Sequence, residues 1–219
     1  REPAGAVVHA RVVVRASQCF GPPVLWRLAG TRAVGSTRSS TSGSTALQHA
    51  QPFVVECFRG QVAMAHNGTL IKADLLRDEL ECKGSIFQTT ADSEIILHLL
   101  AQPSNNGGGI LTALRRIEGA FSLIIQSERE IIAVRDPFGF RPLSLGKRDG
   151  ACVLPSEPCA FDLAHAALVR SGGDAGAVEG GQVAGAVAER RRGVVDRGAS
   201  VTIRCPIRAV RRRLCCSAR

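Results

Sequence analysis

Apolar and polar positions follow two rhythms along the middle of this 219-residue chain. Gln61-Val62-Ala63-Met64-Ala65 predicts a short buried strand, and it runs into His66-Asn67-Gly68, a turn signal. Over residues 70–82 the apolar positions Ile71, Leu75, Leu76 and Leu80 take the spacing of an amphipathic helix. Asp92-Ser93-Glu94 then opens the apolar run Ile95–Leu100, with acids in the first turn, where the helix dipole favours them. Pro103 and the Asn/Gly run 105–109 end that helix, and residues 110–117 predict another short one. Ala120–Ile125 and Glu130–Arg135 read as two strands joined by a short polar turn. Asp136-Pro137-Phe138-Gly139 reads as a tight turn. Residues 142–145 and 151–156 supply two more strands, and residues 159–166 a short helix. Helices do not alternate with every strand, so the pattern predicts an α+β domain with antiparallel sheet.

Composition agrees with a globular chain: 45% of residues are hydrophobic and 21% charged. The longest uncharged stretch, Ile95–Leu114, is broken by Gln102-Pro103-Ser104-Asn105-Asn106 and three glycines, so no transmembrane helix is expected. No secretory signal is evident either, and a cytoplasmic location is expected. The net charge of +9 lies in the two ends. Residues 1–30 carry four arginines against Glu2, and residues 166–219 carry eleven arginines against four acids, whereas residues 31–165 are close to neutral. The tail from Ser171 onward holds no phenylalanine, lysine or histidine and shows no clear period of 3.6 or 2. It is expected to be a disordered basic tail or sequence unrelated to the domain, such as an out-of-frame translation. Nucleic-acid binding through that tail is disfavoured, because it lacks aromatic residues for base stacking.

Eight cysteines form no C-x-x-C pair and no zinc-type set with histidine, so no metal site is expected. Cys57, Cys82 and Cys152 sit among apolar neighbours and are expected as small core hydrophobes.

Five motifs occur in order: Gly35-Ser36-Thr37-Arg38-Ser39-Ser40-Thr41, His49-Ala50-Gln51-Pro52-Phe53, Ala65-His66-Asn67-Gly68-Thr69-Leu70, Thr90-Ala91-Asp92-Ser93-Glu94 and Arg135-Asp136-Pro137-Phe138-Gly139-Phe140-Arg141-Pro142-Leu143. Together they resemble the glutaminase domain of the amidophosphoribosyltransferase family, a class II glutamine amidotransferase. The long RDPFGFRPL string and A-Q-P-F favour it over asparagine synthetase or glucosamine-phosphate synthase. The resemblance covers residues 29–170, with a non-matching basic segment at 1–28 and the Arg/Gly/Ala-rich tail at 171–219. It implies an incomplete N-terminal-nucleophile (Ntn) hydrolase-like αββα sandwich of antiparallel sheets. It also implies transfer of glutamine-derived ammonia to phosphoribosyl pyrophosphate, giving phosphoribosylamine, glutamate and diphosphate at the first step of de novo purine biosynthesis.

By the same resemblance, Arg38 grips the α-carboxylate of glutamine, a task suited to a planar bidentate donor. Asp92 takes the α-ammonium. Asn67 and Gly68 form the oxyanion hole, through the asparagine amide and the glycine N–H. Plainer readings stand beside these roles: a solvated loop arginine for Arg38, a hairpin turn for Asn67-Gly68, and a helix N-cap for Asp92. The RDPFG segment reads as a structural turn.

The family nucleophile is an N-terminal cysteine whose own α-amine acts as base. Residue 1 here is Arg, and in the Cys19-Phe20-Gly21 echo of the family start only eighteen residues separate Cys19 from Arg38. Ser36 and Ser39 replace the usual His and Tyr, and Thr69 the usual Asn. The expectation is a fragment without glutaminase activity of its own. Missing first strands would leave unpaired sheet edges and poor solubility. No cofactor is expected in this chain; Mg and phosphoribosyl pyrophosphate belong to the absent phosphoribosyltransferase domain. Homo-oligomers are expected only of the parent enzyme. The competing reading is a non-catalytic glutamine- or amino-acid-binding module.

Overall fold

The structure is a computed structural model that describes residues 7–11, 21–28, 30–37, 47–58, 60–103, 109–128, 130–170 and 201–206. A short helix α1 (Pro22–Arg27), begun by prolines at its first turn, has no buried residue and stands apart from the core. The core begins with β1 (Phe53–Cys57) and β2 (Gly60–Ile71), followed by α2 (Ala73–Cys82), α3 (Asp92–Ala101) and α4 (Gly109–Leu114). Then come β3 (Glu118–Gln126), β4 (Glu130–Arg135), β5 (Leu145–Arg148), β6 (Ala151–Val153), α5 (Ala160–Ala164), β7 (Ala167–Arg170) and β8 (Val201–Pro206).

Five strands form one antiparallel sheet in the order β1-β2-β3-β4-β8. Its strands alternate, as period-two sequences must. Met64, Phe121, Leu123, Ile125, Ile132 and Val134 share one cluster with Ile95, Ile96, Leu99 and Leu100 of α3, Leu80 of α2 and Leu114 of α4. Burying each such side chain fully contributes about 1.5–3 kcal/mol, so this helix-on-sheet layer dominates stability. Between those positions the strands face the other way. Ala133, with Ile124 beside it, packs on Leu145 and Cys152 of the second sheet, ordered β6-β5-β7, and on Leu143 and Leu154 flanking its strands.

Because Leu145 faces the first sheet, Gly146 faces outward, and Phe161 of α5 covers it there. A Cβ on Gly146 would lie 2.3 Å from the Phe161 ring. The layers are therefore helices, sheet, sheet, helix, an αββα sandwich of antiparallel sheets in which α5 forms the outer layer among the described residues.

Several sequence expectations are corrected. His66-Asn67-Gly68 is not a turn: β2 continues unbroken to Ile71, paired residue by residue with β3 from Ala63↔Gln126 to Ile71↔Glu118. That pairing delays α2 to Ala73, after Lys72 in the left-handed region at φ 57°. The proposed apolar stripe on α2 shrinks accordingly: Leu80 is fully buried, while Ile71 and Leu75 are 59% and 65% exposed. The strand expected at 142–145 is instead β5, which turns into β6 through Asp149-Gly150, both at positive φ as a tight two-residue hairpin requires. Cys57 and Cys152 do pack against the two cores, but Cys82 is exposed at the end of α2. Of the tail from 171 onward only Val201–Pro206 is described, and it pairs with the whole of β4; the rest of the tail lies outside the described residues.

Candidate active site

Alternate backbone N–H groups of a strand point to the same edge. The Asp136 N–H donates to the Phe121 carbonyl at 2.9 Å, so the polar groups of Phe121 face β4. Its register partner Gly68 therefore turns its own N–H away from β3, toward the β1 side. But β1 stops pairing with β2 at Phe53↔Met64, so that edge of β2 is uncovered from His66 onward. Three N–H groups project from it. The His66 N–H is taken by Gln51 Oε1 at 2.7 Å, and the Leu70 N–H by Asp92 Oδ2 at 2.9 Å. Between them the Gly68 N–H has no acceptor among the described residues.

Glycine is obligatory at this point. Gly68 sits at φ +154°, and a Cβ there would lie 2.1 Å from the Ala120 carbonyl oxygen and 2.7 Å from the Phe121 Cα. Gly119 answers it from the neighbouring strand, with a would-be Cβ 2.3 Å from the Thr69 carbonyl oxygen. Two glycines thus let β2 and β3 approach closely where the donor edge lies. Asn67 precedes Gly68, opposite Ser122 on the sheet face away from the helices, and its side chain is exposed.

Asp92 is the first residue of α3; the N-cap position belongs to Ala91, which supplies no side-chain cap. The plainer N-cap reading is thereby corrected, because the Asp92 carboxylate crosses to β2 instead. Its side chain is 25% exposed. Oδ1 lies 3.5 Å from Ser93 Oγ and 3.7 Å from His66 Nδ1, and Ser93 Oγ lies 2.8 Å from His66 Nδ1. His66 Nε2 is buried without a hydrogen-bond partner among the described residues. Burial pushes the imidazole pKa below its ordinary 6.5, the Asp92 carboxylate pulls it up, and the positive Arg141 pushes it down. Glu94, one turn into α3, fixes the preceding loop by accepting from the Gln88 and Thr89 N–H groups, each at 2.7 Å.

Asn67, Gly68 and Asp92 thus come together at one edge of β2. Arg38 lies outside the described residues. The segment just before it is anchored by Arg32, which donates to the Ser127 and Glu128 carbonyls at 2.7 and 2.6 Å. The RDPFG segment is the structural turn it was expected to be. Asp136, 1% exposed, accepts from the N–H groups of Phe138, Phe140 and Arg141 at 3.0–3.2 Å. Sequence reasoning assigned no role to His66 or Ser93. The available signal for His66 was a polar residue directly after the apolar run Val62–Ala65; Ser93, between two acids, carried none beyond its place in a motif already singled out.

A separate groove of about 440 Å³ lies between the β1–β2 hairpin and the C-terminal end of α3, lined by Val55, Val62, Leu97 and Leu100 among others. Ser127, Glu128 and Glu130 also line it, and none of Asn67, Gly68 and Asp92 does. Among the described residues no three His, Cys, Asp or Glu side chains gather as a metal site.

An uncovered N–H, an adjacent exposed amide and a carboxylate thus meet at one strand edge. The family profile of the glutamine amidotransferase domain matches residues 37–162, and the chain belongs to that family, with its Ntn-hydrolase-like fold. Its relatives are amidophosphoribosyltransferases. The chloroplastic enzyme of Glycine max is 45% identical over 158 residues, 70% of this chain and 28% of the relative. That of Methanocaldococcus jannaschii is 41% identical over 155 residues, 69% of this chain and 33% of the relative. Among solved structures, an allosteric regulatory enzyme of purine biosynthesis superposes with a TM-score of 0.66 at 36% identity, over 71% of this chain and 34% of that one. The glutamine phosphoribosylpyrophosphate amidotransferase from B. subtilis, complexed with ADP and GMP, gives 0.55 at 37% identity, over 60% and 30%. The chain spans about a third or less of the length of the relatives it matches.

Proposed function

We propose that this domain binds L-glutamine at the open edge of β2 and serves as the glutaminase part of an amidophosphoribosyltransferase. The observation that carries the reading is the uncovered Gly68 N–H, flanked by N–H groups tied off by Gln51 and Asp92. Attack by the family's N-terminal cysteine thiol on the carboxamide carbon forms a C–S bond, passes the thiol proton to that residue's α-amine and moves the carbonyl electron pair onto oxygen. The Gly68 N–H and the Asn67 amide take that charge, and fixed donors of this kind contribute about 3–4 kcal/mol to lowering the barrier. Asp92 receives the α-ammonium, and Arg38 the α-carboxylate. The ammonia released goes to phosphoribosyl pyrophosphate in the phosphoribosyltransferase part, where Mg acts, giving phosphoribosylamine, glutamate and diphosphate.

Among the described residues no helix is long and apolar enough to cross a membrane. A cytoplasmic location is our reading, to be checked by fractionation, since the Glycine max relative is chloroplastic by name.

Ligand-dependent thermal unfolding tests the glutamine site. Binding to the folded state alone raises the melting temperature. L-Glutamine is expected to raise it more than L-asparagine, whose side chain is one methylene shorter. Equal or absent shifts would overturn the reading.

A further inference from the structure

The carboxylate of Asp92 has a back as well as a front. Its back is met by Ser93 Oγ at 3.5 Å and by His66 Nδ1 at 3.7 Å, while hydroxyl and imidazole lie 2.8 Å apart. A proton arrangement serving all three runs from His66 Nδ1–H to Ser93 Oγ, and from the Ser93 hydroxyl to Asp92 Oδ1. The imidazole side chain is 1% exposed, so it has no competing water at Nδ1. His66 belongs to the strand that carries Asn67 and Gly68, and Asp92 to the helix opposite.

We propose that His66 is a positioning residue: through Ser93 it turns the Asp92 carboxylate so that its open side faces the amino group of a bound amino acid. This rests on the glutamine-site reading. A carboxylate held only at Oδ2 by the Leu70 N–H turns Oδ1 more freely about the Cβ–Cγ bond and meets the ammonium less often in a productive geometry. His66 itself does not touch the ligand. The other charges facing the imidazole are Asp92, on α3, and Arg141, on the loop after β4.

The test compares L-glutamine with glutaramate, the same molecule without its α-amino group, by titration calorimetry on the full chain. Wild type is expected to prefer L-glutamine. His66→Phe fills the buried space but offers no polar atom, and should lower that preference about tenfold, with glutaramate affinity unchanged. His66→Asn keeps a polar atom near the Nδ1 position and should restore it. Should His66→Phe not fold, Ser93→Ala breaks the same link with the loss of one oxygen and carries the same expectation. If wild type discriminates and a folded His66→Phe or Ser93→Ala chain discriminates equally, the proposal is overturned and the glutamine site stands. If wild type binds neither ligand, the site reading falls and the proposal falls with it.

Discussion

Leu70 and Asp92 are joined by a 2.9 Å hydrogen bond from a strand N–H to a helix carboxylate, across twenty-two residues of chain. The bond fixes the first turn of α3 against the uncovered edge of β2. It occupies Oδ2, while Oδ1 faces Ser93 Oγ at 3.5 Å, and the side chain remains 25% exposed. Strand register and ligand geometry are coupled through this one side chain. Two substitutions separate its roles. Asp92→Asn keeps an oxygen for Leu70 but removes the charge, so stability should change by less than about 1 kcal/mol while glutamine affinity falls. Asp92→Ala also strands the Leu70 N–H and should cost about 1–3 kcal/mol. Urea denaturation measures both.

Gly68→Ala should be far more damaging than its size suggests. The added methyl group meets the Ala120 carbonyl at 2.1 Å, and both partners are ladder backbone that cannot move separately. A loss of at least about 3 kcal/mol is expected, against about 1 kcal/mol for Gly84→Ala, where no atom lies within 4 Å and only the positive φ resists. Equal losses in chemical denaturation would mean that β2 and β3 do not approach as described.

Acid should weaken the fold through His66. Its folded pKa is lowered from 6.5, chiefly by burial, so the unfolded chain binds the proton more readily. Stability is fully present above about pH 6.5 and is lost as the pH falls from there toward the folded value. Denaturation at about pH 7.5 and about pH 5.5 should show wild type losing more than His66→Asn, which has no imidazole to protonate.

Asp136→Ala should loosen the turn that follows β4. The buried carboxylate accepts from three N–H groups, and their loss should cost about 3 kcal/mol or more. Phe138→Ser and Phe140→Ser, at positions 78% and 70% exposed, should change stability by no more than about 0.5 kcal/mol. Thermal melts of the three variants distinguish the brace from its ornament.

Much of this was legible because the strands that pack on two layers advertise it. In β3 and β4, Leu123-Ile124-Ile125 and Ile131-Ile132-Ala133-Val134 are continuous apolar runs, as strands packed on both faces tend to be, and short apolar runs of this kind read as strands. His66-Asn67-Gly68 misled because its turn chemistry is local, whereas the close approach of Gly119 and Ala120 that demands glycine is tertiary. Asp149-Gly150 was overlooked although its dipeptide is a hairpin signal, since β5 and β6 on either side are only four and three residues long. In β8, Val201, Ile203 and Cys205 alternate with Thr202 and Arg204, but this six-residue signal sits in an arginine-rich tail, and its partner β4 lies sixty-six or more residues earlier. The donor edge at Gly68 was equally hidden: which way an N–H points depends on register, and register is not written in one strand. Asn67, Gly68 and Asp92 were found through motif resemblance, and their assembly at one edge came from the pairing.

The most direct test of the glutamine site is titration of L-glutamine into the wild-type chain and into Asp92→Asn, both shown to be folded. Wild type should bind, and Asp92→Asn should bind at least about tenfold more weakly, as loss of a charge-assisted hydrogen bond to an ammonium group predicts. Equal binding by the two chains, or none by wild type, would contradict a glutamine site at the open edge of β2.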